Sequence, residues 1–360
     1  MATDTTQTSA PQPEPSSETV ERAKTLVARR FKHIRHKDDT LKALAKLGLE
    51  RLAREMTVTA HDSEKENRDE PKPLPDHEIE ALDPLDILRR ELQLPALPQV
   101  FLELQQAINS PKTSSDDLAA IISQDPSLTA FLLRMVNSVF YSLPVQIDTI
   151  TRAVTVVGVN QLNTLAVGTS VLSLFDDVPS EMVNMKQFWK HSIAVGIIAR
   201  RLCSILGKGD PERSFVAGLL HDIGQLVLLK TVPERCADVI AYSRKMETQL
   251  FEAEHARLGF DHATLGGMLL RKWNFPYVLV SAVLEHHVPK KKQKEAEPGL
   301  VHCAEIIVAG LGLSSGGEYF VQPPNRVVWE AIGLTPAHLN QVIDGLDDEL
   351  DEAFSVLMKS

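Results

Sequence analysis

The sequence predicts an all-α protein. Three observations carry this. Apolar residues recur at helical spacing through most of the chain after about residue 83. Capping residues and first-turn prolines, such as Asp125-Pro126, stand ahead of those runs. No stretch shows the strand–helix alternation of a parallel sheet. Apolar residues make up 43% of the chain but aromatics only 5%, so Leu, Val, Ile and Ala must fill the core.

Residues 1–18 are rich in Thr, Ser, Pro and Gln and are expected to be a disordered tail. Residues 19–56 read as a basic helical arm, with Leu26, Val27, Leu41, Leu44, Leu47 and Leu49 on a narrow apolar face. Arg29, Arg30, Lys32, Arg35 and Lys37 make it the one segment where cations outnumber acids. Either it meets an acidic partner or it docks on the main body. Residues 57–82 form a charged, proline-containing linker.

From about residue 83 to 178 a first helical lobe is expected. In "SSDDLAAIIS" the serines cap a helix carrying Leu118, Ile121 and Ile122. Asp125-Pro126 opens the next, whose Leu128, Phe131, Leu132, Met135 and Val136 share a face. "DTITRAVTVVGVNQLNTLAVGTSVLSLF" is rich in β-branched residues, but its apolar residues do not alternate and Gly158 divides it, so it reads as two short helices. A second lobe, about 179–311, carries "FWKHSIAVGIIARRLCSILG", "PERSFVAGLLHDIG", "FDHATLGGMLLRKW" and "PYVLVSAVLEHH", with Asp261 and Pro276 as helix starts. Residues 312–360 are a C-terminal helical extension.

The net charge of −10 argues against nucleic acid or an anionic membrane as partner. Cys203, Cys236 and Cys303 are widely spaced, with no CxxC, which argues against a disulfide framework or a thiolate zinc site. The N-terminus has no apolar signal segment, and no stretch is a membrane span, so a cytoplasmic protein is expected.

The chemistry concentrates around "GLLHDIGQLVLL". His221 and Asp222 are neighbours, and neighbours on a helix diverge by about 100°. They share one ion only near a helix end, where groups from other helices converge. His191, His262, His286, His287 and Glu305 are such groups, with His302 one turn before Glu305. Imidazole and carboxylate suit Mn, Fe, Ni or Zn, and bridging carboxylates suit pairs of ions. Such an ion polarises a phosphoryl oxygen and lowers the pKa of bound water. Taken singly, each is as easily a hydrogen-bonded core residue, and His302 is read that way. His255 reads as surface, Cys303 as a small buried hydrophobe, and Trp189, Trp273 and Trp329 as packing anchors. Together, five histidines and two acids near successive helix ends leave many buried polar atoms that a metal would satisfy.

"GLLHDIG" is the signature of the HD superfamily of metal-dependent phosphohydrolases. With "LPALPQV", "IISQDPSLTAFLLRMVNSVFY", "ITRAVTVVGVNQL", "FWKHSIAVGIIA", "GFDHATLGGMLLRKWNFP" and "LEHH", the stretch from Leu94 to about Leu311 resembles the HDOD family, the HD-related output domain of bacterial signalling proteins. The resemblance implies a two-lobed all-α fold, with Asp125-Pro126 and Asn137-Ser138 in the first lobe and the histidines in an HD-like second lobe. The order His191, His221-Asp222, His262, His286-His287 is also similar to the HD-GYP cyclic-di-GMP phosphodiesterases, and Glu305 stands where the superfamily usually has the shorter Asp. Two departures matter. Gln225 replaces the usual Lys after "HDIG", and "VPKKKQKEAEPG", with Lys290, Lys291 and Lys292, replaces the Gly-Tyr-Pro loop. The expectation is a bacterial signal-transduction or scaffold protein without catalysis, retaining a divalent-metal site. It would meet a protein partner and, as a small ligand, a nucleotide. The alternative is a metal-dependent phosphohydrolase of a nucleotide or cyclic dinucleotide. No catalytic residue is assigned.

Overall fold

The computed structural model describes residues 15–35, 38–58, 74–75, 80–89, 99–108, 110, 112–138, 141, 143–175, 183–290, 294–315 and 320–358. Most of the expected tail and linker, Lys37, the start of "LPALPQV", and Lys291 and Lys292 lie outside them. Among the described residues there are nineteen α-helices and no strand.

The first lobe comprises α4 (Gln99–Ile108), α5 (Ser115–Ile122), α6 (Pro126–Val136), α7 (Ile150–Val157) and α8 (Val159–Ser170), after a short α3 (Pro84–Arg89). The caps read from sequence are in place. Ser114 and Asp117 form a reciprocal capping box on α5, and the Asp125 carboxylate accepts from the amides of Ser127 and Leu128 at 2.9 and 3.0 Å. Gly158, at φ +102°, separates α7 from α8 in a conformation other residues rarely adopt. Asn137 pins the loop ahead of α7, its amide exchanging two 2.6 Å bonds with the backbone of Ile147.

The second lobe is built on α9 (Met185–Leu206) and α10 (Pro211–Leu220), followed by α11 (Ile223–Thr231), α12 (Pro233–Met246), α13 (Leu250–Leu258), α14 (His262–Lys272), α15 (Tyr277–Glu285) and α16 (Glu297–Leu311). α9 and α10 cross through two glycines, where a Cβ on Gly218 would stand 2.7 Å from the Gly196 Cα. Only helices lacking side chains there approach so closely, and the crossing draws His191 toward His221. α10 also packs on α8 and joins the lobes. Trp189, Trp273 and Trp329 are buried anchors, and Cys203, Cys236 and Cys303 are buried free thiols.

Helices that precede and follow the two lobes in sequence pack on the second lobe. α1 (Ser17–Arg30) and α2 (Asp39–Val58) form a hairpin, and α2 packs on α16 and on α18 (Pro336–Ile343). The docking is close. Leu41 and Leu44 are buried, each burial worth roughly 1.5–3 kcal/mol. A Cβ on Gly48 would stand 2.2 Å from the Gly310 carbonyl oxygen. Of the arm's cations, Arg29 and Lys32 face Glu247 of the protein itself. α17 (Arg326–Ile332) packs on α16, and α19 (Leu346–Met358) lies across α9, fastened by Arg201, which pairs with Glu349 and donates to the carbonyls of Val342 and Asp344.

A buried ion pair holds the linker. Arg257 donates to Asp238 through two nitrogens at 2.7 and 2.8 Å. Arg257 also reaches the Leu74 carbonyl at 2.7 Å, and Asp238 accepts from the Leu74 amide at 2.7 Å. No single helix among the described residues is long and apolar enough to cross a membrane.

Candidate metal centre

The structure brings all seven expected side chains together. His221 and Asp222 occupy the two-residue turn between α10 and α11, so the helix break lets adjacent residues face one space, with His221 Nε2 3.3 Å from Asp222 Oδ1. His191, on α9, puts its Nε2 3.3 Å from His221 Nε2. His262 opens α14, capped by Asp261, and lies 3.1 Å from Asp222 Oδ1. His286 and His287 follow the end of α15. Glu305, on α16, places Oε2 3.1 Å from His191 Nε2 and 3.3 Å from His221 Nε2, so its extra methylene is accommodated.

Each of the five rings is oriented through its other nitrogen. Nδ1 of His191 meets the Leu313 carbonyl at 2.6 Å, that of His221 the Gly218 carbonyl at 2.7 Å, and that of His286 the Val283 carbonyl at 2.7 Å. Nδ1 of His262 meets Glu254 at 2.6 Å and that of His287 meets the Gln322 side chain at 2.8 Å. Carbonyls and carboxylates only accept. They hold a hydrogen on Nδ1 and turn Nε2 inward, the atom that a metal ligand must offer.

The donors form two sets. His191, His221, Asp222 and Glu305 make one, and His262, His286 and His287 the other. Asp222 stands between them, Oδ2 3.6 Å from His191 and Oδ1 3.1 and 3.8 Å from His262 and His286. Donors around one tetrahedral ion at about 2.1 Å lie roughly 3.4 Å apart. The first set's separations, 3.1–3.6 Å, fit that spacing. The buried His286 Nε2 has no hydrogen-bond partner, and the Nε2 atoms of His191 and His221 face each other 3.3 Å apart. Unsatisfied, such atoms cost free energy, and a cation in each set removes the cost. The residues fit a pair of divalent ions.

The HDOD domain model matches residues 94–289, over half of the chain. The chain belongs to the HDOD domain family. An uncharacterized protein of Treponema pallidum (strain Nichols) is 30% identical to this HDOD protein over 211 residues, which is 57% of this chain and 40% of that one. The chain thus matches less than half of that relative's length. Among solved structures, an HDOD domain protein from Geobacter sulfurreducens superposes with a TM-score of 0.58 at 22% identity, covering 76% of this chain and 96% of the other. A protein from Marinobacter aquaeolei VT8, named for signal transduction, gives 0.60 at 20% over 86% and 73%. A protein from Shewanella amazonensis SB2B, named for phosphohydrolase activity, gives 0.56 at 25% over 76% and 97%. The HDOD fold is common to all.

Charge in the HDOD centre divides between the rings. Burial opposes the charged form of His221, but Asp222 and Glu305 outweigh it and push its pKa up to about 10. His191 is raised in the same way by Glu305, and His262 well above its ordinary value by Glu254 and Asp222, each against burial. His286 is pushed down to about 3 by burial and then by His221 and His262, and His287 is lowered by burial and by His286.

Residues set aside in the sequence fall as follows. His302 is a hydrogen-bonded core residue, fully buried between the His286 carbonyl and the Asn325 amide. The His255 side chain is half exposed. Its neighbour Glu254, which the sequence reading passed over, orients His262 through both ring and backbone. Gln322 and the Leu313 carbonyl were also missed, and both lie beyond the HDOD match. A carboxylate eight residues before a histidine was a signal for Glu254, whereas backbone acceptors leave none. Gln225 lines an apolar cavity with Leu228, Val239, Leu250 and Leu258, and Lys290 is paired with Glu285 at 2.6 Å.

Proposed function

We propose that this HDOD protein is a non-catalytic signalling or scaffold module of bacterial type, whose second lobe is tied together by a buried pair of divalent ions, Mn, Fe, Ni or Zn. The observation that carries the reading is burial. None of the seven donor residues exposes more than 7% of its surface, and six helices meet on them. A hydrolytic centre needs room for a phosphate and a cation to hold it. Here the position expected to carry lysine is Gln225, set among aliphatic side chains, and Lys290 is engaged by Glu285. An ion in this centre supplies cross-linking between α9, the α10–α11 turn, α14, α15 and α16. The output is then a surface for a protein partner, with a nucleotide as the small ligand to test first.

The second reading is a metal-dependent phosphohydrolase of a nucleotide or cyclic dinucleotide. The full donor set favours it, and so does the name of the Shewanella neighbour. One experiment separates the two. Purified protein is analysed for metal, reconstituted with Mn, Fe or Ni, and incubated with cyclic-di-GMP, with the His221→Ala, Asp222→Ala double variant as the blank. Bound metal without turnover is expected. Turnover that disappears in the blank overturns the non-catalytic reading.

A further inference from the structure

Tyr277 is the most exposed large apolar side chain among the described residues, at 74%. It opens α15, and Leu284, seven residues on, stands on the same face, about 20° away around the helix. Leu284 is 39% exposed, and Val288, just past the helix end, is 66% exposed. Gly267 of α14 lies against this helix, where a Cβ would stand 2.8 Å from the Leu284 Cβ. The next residue, Met268, lines a cleft of about 540 Å³ with Leu85, Leu88, Arg89, Arg271 and Lys272. Leu85 of α3 is half exposed. Four of the twelve large apolar side chains left exposed among the described residues therefore belong to α3 and the α15 stretch, and α14 packs against both.

Charge sets this face apart. Residues 264–290 hold Arg271, Lys272 and Lys290 against one acid, Glu285, in a chain whose net charge is −10. Glu285 is buried and holds Lys290 at 2.6 Å, and Lys272 donates to the Leu88 carbonyl at 2.9 Å. Arg89 pairs with Asp86 at 2.8 Å, but both are exposed, and such a pair opens easily for a better partner. Arg271 forms no ion pair among the described residues. Single exposed apolar residues are ordinary, whereas a cluster of them rimmed by one sign of charge marks an interface. The chemistry also selects among anionic partners. α3 and α14 both end at the cleft, and their carbonyl ends carry partial negative charge, which opposes a concentrated phosphate dianion. Carboxylates spaced along a partner chain reach the cations one at a time. A second copy of this chain, meeting this face through a two-fold axis, would set cations against cations. The charge of the whole chain opposes an anionic membrane.

We propose that the outer face of the α14–α15 hairpin, with the adjoining end of α3, is the output surface, and that it takes an amphipathic helix of a partner protein whose apolar residues are edged by aspartate and glutamate. The apolar side chains of that helix would lie on Tyr277, Leu284 and Met268, and its acids would reach Arg271 and Arg89, the arrangement by which a groove between helices recognises a helix. The proposal rests on the protein-partner reading above and says where that partner sits. α15 leads directly into His286 and His287, so what docks on it lies beside the metal donors.

The test starts with the full chain in its native cell, carrying the photo-crosslinker benzoylphenylalanine at position 277 or, as control, at Val156, which is half exposed on α7 of the first lobe. A protein captured from 277 and not from 156 is expected, joined through a segment whose apolar residues are flanked by acids. That protein, purified, should bind wild type, and Tyr277→Ser, Leu284→Ser and Arg271→Glu should each weaken it about 10-fold or more, the scale of residues at the centre of an interface. Binding should also weaken as salt is raised. All three positions are exposed, and thermal melts confirm that the variants fold. No capture from 277, the same proteins from both positions, capture of a second copy of this chain, or binding indifferent to Arg271→Glu overturns the proposal. So does flotation with phosphatidylserine vesicles that is lost in Tyr277→Ser, which would assign the face to a membrane. Turnover of cyclic-di-GMP in the assay above would overturn the non-catalytic reading and leave the crosslinking result standing, so the two fail separately.

Discussion

Gly224 and His262 are in backbone contact: a Cβ on Gly224 would stand 2.0 Å from the His262 carbonyl oxygen and 2.8 Å from the Gly266 amide. The glycine of "HDIG" is thus a spacer of zero thickness between α11 and α14. It sets how far Asp222, two residues before it, lies from His262.

Gly224→Ala should therefore act on both stability and metal. Neither obstacle is a flexible side chain, so the two helices must part, at a cost of about 1–3 kcal/mol, typical of overpacking. The His262, His286 and His287 set should lose its ion first, since it depends on Asp222 from across that contact. Urea unfolding and metal content of the variant check this. An unchanged unfolding midpoint with full metal content would show that the contact does not set the spacing.

Metal loading should release protons. His221, its pKa pushed up to about 10 by Asp222 and Glu305 against burial, holds a hydrogen at neutral pH that a metal must displace, and His191 and His262 are raised in the same direction by Glu305 and by Glu254 with Asp222. Loading at pH 7.5 is expected to release protons and to weaken as pH falls. Calorimetry in two buffers of different ionisation enthalpy counts them. A count of zero would contradict the charge distribution described.

His302 should contribute to acid lability. Burial pushes its pKa down to about 4 from 6.5. Between these values the unfolded chain binds the proton and the folded chain does not. Stability therefore rises with pH across that window and is lost as pH falls through it, by up to about 3 kcal/mol. His302→Gln keeps a hydrogen-bonding side chain without the titration. Its unfolding free energy should fall less steeply from pH 6.5 to 4 than that of wild type, and parallel curves would count against this assignment.

Arg257→Met should cost about 3–5 kcal/mol, because it leaves the Asp238 carboxylate buried without its partner. Pairing it with Asp238→Leu should recover most of the loss in stability. Neither variant should hold Leu74, so limited proteolysis of the linker should quicken in both. Chemical unfolding and a protease time course, read together, distinguish the pair's contribution to the fold from its grip on the linker.

The helices were legible because their signals are local. Asp125-Pro126, the serines before Leu118 and Gly158 each act within one turn of the chain. The donor residues were legible because a histidine or carboxylate interrupting an apolar helix is conspicuous. Their support was not. Gln322 meets His287 from 35 residues away, and the partners of His191, His221 and His286 are carbonyls, which every residue possesses. The seating of α2 was hidden too. Leu41 and Leu44 suit a solvated helix as well as a docked one, and only tertiary structure sets Gly48 against Gly310.

That last contact has a consequence for synthesis. Gly48 leaves the ribosome long before Gly310, and at about 5–20 residues per second the interval is on the order of tens of seconds. Through it the α1–α2 hairpin carries Leu41 and Leu44 uncovered, since α16 does not yet exist. Glu305 sits on that same late helix, so the first set of metal donors cannot be complete before α16 is made. A nascent chain stalled before α16 lacks both the seat of the hairpin and a member of the metal centre, and is the species a chaperone would meet.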